Sequence, residues 1–141
     1  MRLRALAATV ACAMVTVTLA DTPAAPAAPC PAGGEMAQRH LLGSWRATFE
    51  GLAQEATLLL ERHPELTGSV RGAVNRGGSR ALVAGDVDDG EFTLEESVDG
   101  VHISAAWSGT VTDGSCGNEI RGDWQGANDR AARPFVLRKL P

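Results

Sequence analysis

The residues of this chain that are capable of catalytic chemistry are few and lie far apart in the sequence. Three histidines, His40, His63 and His102, occur in separate segments, and none belongs to an HExxH, Gly-x-Ser-x-Gly or reactive-cysteine pattern. Ser104 shares the outward face of a predicted strand with His102, but a nucleophile and its base also need an orienting acid. The sequence therefore favours a protein that is not an enzyme, with a hydrolase that uses His102 or His63 as the weaker alternative.

The strongest candidates for contacting a ligand are the tryptophans Trp45, Trp107 and Trp124. Each begins or ends a five-residue stretch that has glycine at its centre and an apolar residue at both ends. In a strand these three positions share one face, so we expect each tryptophan to point inward. Inward tryptophans of a small barrel line a cavity for a small apolar ligand or fill the core, and filling is the simpler use.

Charge and ligand spacing argue against several other kinds of site. Residues 86–99 hold seven carboxylates and no base, but the glycine after Asp86, Asp88 and Asp89 comes one position too early for a calcium loop. A solvated acidic hairpin is the simpler interpretation, and we expect no metal and no cofactor. The formal net charge of −4 argues against a nucleic-acid partner, because binding phosphates needs a clustered basic excess.

The N-terminus has the layout of a secretory signal peptide. Two arginines within residues 1–4 precede an apolar stretch, and Thr18 and Ala20 occupy the −3 and −1 positions of a cleavage site before Asp21. A buried N-terminal helix and a lipid anchor on Cys12 are weaker alternatives. We expect a periplasmic or secreted protein without a membrane span in its mature chain, and the arginine- and alanine-rich composition indicates a GC-rich bacterial genome.

The rest of the chain divides into an arm and one domain. Residues 1–20 form the predicted signal peptide, residues 21–34 an Ala/Pro-rich linker or arm, and residues 35–141 a single folded body. Removal of the signal leaves two cysteines, Cys30 and Cys116, and an even pair in an exported protein predicts a disulfide. In the chain-entropy model this disulfide contributes about 4–5 kcal/mol. Two isolated cysteines make no metal cluster.

The body has the pattern of an all-β protein with short turns. A short helix over 35–42, ended by Gly43, is expected before the first strand. The segment 52–62 has helical propensity. We favour a strand over 56–62, because a strand there connects directly through the His63-Pro64 turn to the next predicted strand. Alternation of apolar and polar residues and turn residues then predict about eight antiparallel strands: 44–50, 56–62, 66–75, 81–87, 91–97, 101–111, 118–125 and 134–139.

Repeated glycines suggest how these strands are arranged. Inward glycines between apolar neighbours let strands bend, which the closing of a narrow barrel requires. The clearest single strand is 101–111, where Val101, Ile103 and Trp107 are predicted to share the inward face after an Asp99-Gly100 hairpin turn. The sequence therefore predicts an eight-stranded antiparallel meander closed into a small barrel, with a short N-terminal helix.

A short helix followed by Gly43-Ser44-Trp45 resembles the start of the calycin barrels, which include lipocalins, avidins and bacterial metalloprotease inhibitors. The resemblance implies that Trp45 plugs one end of the barrel beneath an arginine of the last strand, which is Arg138 or, less well, Arg133. Avidin-like biotin sites use a tyrosine, and this chain has none. Resemblance to the inhibitors rests on Leu41-x-Gly-x-Trp and on the N-terminal arm.

These observations lead to one main hypothesis and one alternative. The main hypothesis is an exported, non-catalytic and monomeric β-barrel that binds a small apolar ligand through Trp45, Trp107 and Trp124 at the barrel mouth. The alternative is a protein-binding inhibitor whose arm, fastened by Cys30, enters the cleft of a periplasmic or extracellular enzyme.

Overall fold

Eight antiparallel strands close into a barrel in the computed structural model, which describes residues 23–25 and 30–141. Each strand pairs with the next along the chain, and the last strand pairs with the first. The predicted fold class is therefore confirmed, whereas the predicted signal peptide lies outside the described residues. The strands are β1 Gly43–Phe49, β2 Ala56–Arg62, β3 Val70–Arg76, β4 Ser79–Asp88, β5 Glu91–Ser97, β6 Ala105–Val111, β7 Glu119–Gly126 and β8 Arg133–Lys139.

The helical part before β1 is shorter than the predicted 35–42. A 3-10 turn covers Gly33–Glu35 and a single helical turn, α1, covers Gln38–Leu41. Ala37 interrupts the two with extended backbone, and its N–H donates to Nδ1 of His40 at 3.0 Å, so α1 begins afresh there. In the described part of the chain no helix is both long and apolar enough to span a membrane.

The ambiguous segment after β1 is a strand, as favoured from the sequence. Ala56, Leu58 and Leu60 are buried, whereas Thr57 and Leu59 between them are exposed. This burial has a period of two because β2 pairs with both β1 and β3, and pairing on both sides outweighs the helical propensity of the segment.

Four glycines of the repeated pattern lie inside strands, where the chains approach too closely for a side chain. A Cβ atom added to Gly72, Gly85, Gly109 or Gly122 would collide with a backbone carbonyl oxygen of a neighbouring strand. These positions support the interpretation that glycine permits the sharp coiling of a narrow barrel. Gly68 of the same pattern is different, because it lies in the turn before β3 with a φ of +87°.

The prediction that residues 101–104 continue β6 inward was wrong. Val101 and Ile103 are 79% and 54% exposed, and the strand begins only at Ala105. The cause is Asp99, whose Oδ1 accepts hydrogen bonds from the backbone N–H groups of Val101 and His102, both at 2.8 Å. This side-chain-capped turn replaces the sheet hydrogen bonds that the alternation pattern implied.

The two ends of the barrel differ in what covers them. At the closed end, where β1 begins, residues 30–41 lie over the barrel, and the disulfide joins Cys30 to Cys116 in the β6–β7 loop. Met36 is buried there beside Gly117. At the open end, where β1 finishes, the strands are joined by the loops 50–55, 77–78, 98–104 and 127–132. The disulfide thus ties the arm to the closed end.

Candidate functional site

Trp45 fills the closed end of the barrel. Its side chain is fully buried, and its indole Nε1 donates to the carbonyl oxygen of Leu41 at 2.8 Å. The cation above its ring is the ammonium group of Lys139, 5.6 Å from the ring centroid, which also donates to the carbonyl oxygen of His40 at 2.8 Å. Burial lowers the pKa of Lys139. The closed end is therefore a packed plug with a hydrogen-bonded lysine over it.

The expectation that Arg138 or Arg133 covers Trp45 was wrong. Phe135, Leu137 and Lys139 point inward from β8, so the intervening Arg138 points outward. Arg138 instead forms an ion pair with Glu119, with 3.0 Å between Nε and Oε2, and Arg133 is exposed at the start of β8. The alternation of the strand decides which basic residue faces the ring.

Trp107 and Trp124 lie together at the open end and bind one carboxylate. They are directly opposite each other in the β6–β7 register. Both indole Nε1 groups donate to Oε1 of Glu96, each at 2.8 Å. Arg76 meets the same carboxylate at two points, Nη1 to Oε1 at 3.3 Å and Nη2 to Oε2 at 3.1 Å. Four donors therefore converge on Glu96, which is only 2% exposed.

Aromatic rings enclose this ion pair. The guanidinium carbon of Arg76 lies 4.7 Å from the ring centroid of Trp124 and 5.6 Å from that of Phe49. The ring of Phe49 in turn lies 5.4 Å from Trp107, and Phe135 packs edge-on against Trp107 at 4.9 Å. Cation–π contacts of this kind favour a partly desolvated guanidinium. The side chain of Arg76 nevertheless keeps 24% of its surface exposed, so one edge faces solvent.

A cleft of about 270 Å³ opens beside the ion pair at the open end. Arg76, Glu96 and Trp124 form part of its lining, together with Ser104 and Asn128 from two loops. The hydroxyl group of Ser104 is buried and has no hydrogen-bond partner among the described residues. The cleft therefore combines a cationic edge with an indole ring.

Only part of the predicted tryptophan site is assembled here. The structure brings Trp107 and Trp124 together, and Trp124, which is partly buried, contributes to the cleft. Trp107 is buried behind it, and Trp45 belongs to the closed end. A ligand-binding role for each of the three stays a prediction.

Arg76 and Glu96 were missed as site residues. Glu96 was assigned to a solvated acidic hairpin, which is wrong for this residue, because Phe92, Leu94 and Glu96 share the inward face of β5. Arg76 sits before the Gly77-Gly78 turn, where a charged residue is ordinarily solvated. Inward and outward positions alternate along β5 and β3, and this alternation was the sequence signal that both side chains point inward.

The catalytic candidates are not assembled into a catalytic group. His102 binds Asp99, with 2.7 Å between Nδ1 and Oδ2, and this hydrogen bond above all holds the pKa of Asp99 well below its usual range. Both side chains are exposed in the β5–β6 loop rather than on a strand, and the hydroxyl group of Ser104 does not bond to His102. His63 Nδ1 accepts two backbone N–H groups of its own turn. Within residues 23–25 and 30–141 no cluster of three or more metal-ligating side chains occurs.

Comparisons with known proteins give a structural likeness only. No family model matches the sequence, and no curated protein is similar to it. Among solved structures, the chain is similar to the fatty-acid-binding protein 1 of Echinococcus granulosus, with 11% identity and a TM-score of 0.44. The match covers 73% of this chain and 99% of that one. At this score the likeness carries no argument about function, and the fold assignment rests on the strand pairing.

Proposed function

We propose that this protein is a non-catalytic binding module that holds a small ligand in the open-end cleft. The observation that carries the proposal is the buried ion pair of Arg76 and Glu96 beside Trp124. A buried ion pair contributes little net stability compared with apolar residues of similar size, because desolvating both charges is costly. Packing alone therefore gives no reason to place charges at the mouth of an otherwise apolar barrel.

The chemistry of the cleft defines the class of ligand. A guanidinium group has five N–H donors, and the contacts with Glu96 account for two of them. The exposed edge of Arg76 can therefore donate to a carbonyl or carboxylate oxygen. The ring of Trp124 offers an apolar face. We infer a small ligand that has one apolar face and at least one hydrogen-bond acceptor, below the size that typical drug-binding pockets hold.

The tryptophans provide the experiment, because their indole N–H groups report on both ends of the barrel. A fragment library of small aromatic carboxylates, amides and their apolar analogues is titrated while the three indole resonances are followed by ¹H–¹⁵N NMR. We expect binders to shift the resonance of Trp124 and leave that of Trp45 unchanged. Native mass spectrometry of protein purified from its own cells then tests for a bound small molecule.

Matched variants locate the site. Trp124→Phe should weaken binding, whereas Trp45→Phe should preserve the affinity. A library that shifts none of the three resonances, together with a native protein free of small-molecule adducts, contradicts the proposal.

Export is a second part of the proposal. The signal-like residues 1–20 and the disulfide between Cys30 and Cys116 support a periplasmic or secreted protein, because structural disulfides persist in oxidising compartments. N-terminal sequencing of the protein from its native cell should begin at Asp21. A start at Met1 in the mature protein contradicts export through a cleaved signal.

An inhibitor role for the arm is the alternative proposal. The disulfide fixes Cys30 to the β6–β7 loop, so residues preceding Cys30 start from a rigid point at the closed end. Deletion of residues 21–29 should abolish inhibition of a target enzyme and leave fragment binding at Trp124 unchanged. Loss of fragment binding after the deletion would contradict the separation of these two sites.

A further inference from the structure

The open-end cleft carries one carboxylate that the ion pair of Arg76 and Glu96 does not neutralise. Asp129 of the β7–β8 loop lines the cleft together with both members of that pair and with Trp124. The lining thus holds one cation and two carboxylates, so its net charge is negative. Because Arg76 and Glu96 compensate each other through two hydrogen bonds, the charge that is left over belongs to Asp129.

The carboxylate of Asp129 lies at the edge of the Trp124 ring. A Cβ atom placed on Gly126 would lie 2.7 Å from Oδ2 of Asp129 and 3.4 Å from Cη2 of Trp124, so the two groups meet over this glycine. The backbone N–H of Asp129 donates to the carbonyl oxygen of Gly126 at 2.9 Å, and its own carbonyl oxygen accepts from the side chain of Gln125 at 3.3 Å. The loop therefore holds this carboxylate beside the ring, in space that the glycine leaves open.

Among the residues that the structure describes, Asp129 takes part in no ion pair. Its sequence neighbour Arg130 is not part of the cleft lining. The guanidinium of Arg76 is bonded to Glu96 and stacked on Trp124 instead. A ligand that enters the cleft displaces water beside Asp129, and a positively charged group on that ligand would compensate the lost hydration.

Building on the proposed function, we propose that the ligand of this cleft is a small amine that also carries an oxygen acceptor. The acceptor oxygen meets the exposed edge of Arg76, the apolar part lies against Trp124, and the ammonium group donates to Asp129. Hydrogen bonds between charged groups are stronger than neutral ones. An acidic ligand, in contrast, would bring a like charge into a cleft that is already negative.

The position of Arg76 determines where the ammonium group lies. Its guanidinium carbon is 4.7 Å from the ring centroid of Trp124, so a cation already stands over this indole. At the ring edge the carboxylate of Asp129 has no such cation. The lining therefore offers a donor and an acceptor at two different points, and a ligand that has both an oxygen acceptor and an ammonium group matches them.

Three fragments that differ in one substituent test the charge of the ligand. They are 4-(aminomethyl)benzamide, 4-methylbenzamide and 4-(carboxymethyl)benzamide, which share a ring and an amide oxygen but are cationic, neutral and anionic at pH 7. Each is titrated into the full mature protein while the indole resonance of Trp124 is followed. We expect the amine to bind at least about threefold more tightly than the neutral fragment, and the acid to bind most weakly. Because Asp129 is exposed, these differences should shrink in about 0.5 M salt.

Matched variants assign the preference to one side chain. Asp129→Asn removes the charge, nearly preserves the shape and should abolish the preference for the amine. Gly126→Ala retains every charge but displaces the carboxylate, so it should reduce the same preference. The control is Asp113→Asn in the β6–β7 loop at the closed end, which changes the net charge equally and should leave the preference unchanged. Circular dichroism and the thermal midpoint verify that the three variants fold.

The order of the affinities separates this inference from the proposed function. If the neutral or the acidic benzamide binds as tightly as the amine, the ligand is not selected for a positive charge, and this inference alone is overturned. A preference for the amine that persists in Asp129→Asn also overturns it. The same holds if none of the three benzamides shifts the Trp124 resonance while other fragments of the library do. A library without any binder, together with a native protein free of small-molecule adducts, contradicts both proposals.

Discussion

Arg76 and Glu96 meet at two points inside the open end of the barrel, although twenty positions separate them in the sequence. Because Glu96 is buried and also accepts both indole N–H groups, the carboxylate is the common acceptor of a four-donor cluster. The cluster joins β3, β5, β6 and β7 at one point. Glu96 therefore links the stability of four strands to the cleft proposed as the ligand site.

Removal of this carboxylate should be strongly destabilising. Glu96→Ala leaves the charge of Arg76 unpaired and the indole N–H groups of Trp107 and Trp124 without an acceptor, and we expect the free energy of unfolding to fall by about 3–5 kcal/mol. The control is Glu95→Ala, a change at an exposed neighbouring residue. Its free energy of unfolding should stay within about 0.5 kcal/mol of the wild-type value. Urea unfolding followed by tryptophan fluorescence measures both.

The cavity left by the same variant should bind a small carboxylate. Acetate or formate supplies the missing acceptor, so either anion should raise the thermal midpoint of Glu96→Ala in a concentration-dependent way. The wild-type protein and chloride at equal ionic strength serve as controls. A midpoint that responds equally to chloride would show that the donors do not form an anion cage.

Neutralising both members of the pair should be less harmful than the sum of the single changes. Arg76→Met leaves the buried carboxylate of Glu96 without its cation, and Glu96→Gln leaves the partly exposed guanidinium of Arg76 without its anion. The double variant is neutral and keeps an amide oxygen for the indoles. We expect an interaction energy of about 1–3 kcal/mol in a double-mutant cycle of chemical unfolding. Strict additivity would contradict a direct ion pair.

The closed end should lose stability as the pH falls. Burial first, then the charges of Arg39 and Lys139, lower the pKa of His40 below its usual 6.5. The unfolded chain therefore binds the proton more readily, so stability present above pH 6.5 declines as the pH falls through and below that value. Protonation also removes the acceptor that Nδ1 offers to the Ala37 N–H group.

His40→Gln separates this effect from the other titrating groups. Glutamine retains an acceptor at the same helix position but does not titrate. The fall in thermal midpoint between pH 8 and pH 5 should be smaller in this variant than in the wild type. An identical pH profile for the two proteins would exclude His40 as the cause.

The disulfide should be a major contributor to stability. It closes a loop of 86 positions, for which the chain-entropy model gives about 4–5 kcal/mol. Replacing Cys30 and Cys116 together with serine should lower the midpoint of urea unfolding, and reduction of the wild type should have the same effect. An unchanged midpoint of urea unfolding would mean that the Cys30–Cys116 disulfide does not constrain the unfolded chain.

Strand alternation and turn residues were sufficient to predict the barrel, because each strand has one buried face and no connection between strands is longer than seven residues. The same alternation also points Glu96 into the barrel, because this residue follows Phe92 and Leu94 on the inward face of β5. A carboxylate is ordinarily solvated, so the residue type of Glu96 argued against the inward position that the alternation gives it. Only the donors from three other strands make its burial favourable, and sequence spacing does not reveal that convergence.

Two local errors have different physical causes. The β5–β6 connection was predicted too short because the side chain of Asp99 binds backbone N–H groups that a longer strand would have used. The basic residue over Trp45 was assigned from a family resemblance as Arg138, whereas parity within β8 selects Lys139. In the first case a side chain overrode the alternation of the strand, and in the second the alternation overrode the resemblance.

The order of the strands also determines how the chain can reach its native state. Seven pairings join sequence neighbours and form as local hairpins, whereas the pairing of β1 with β8 joins opposite ends of the chain. Loop-closure entropy opposes this last step most strongly. Until it is complete, two strands expose unpaired backbone edges to other chains. The interval before closure is therefore when a newly made molecule is most open to aggregation. A Cys30–Cys116 bond formed before closure would shorten this interval, because it would hold the start of the folded chain near β7.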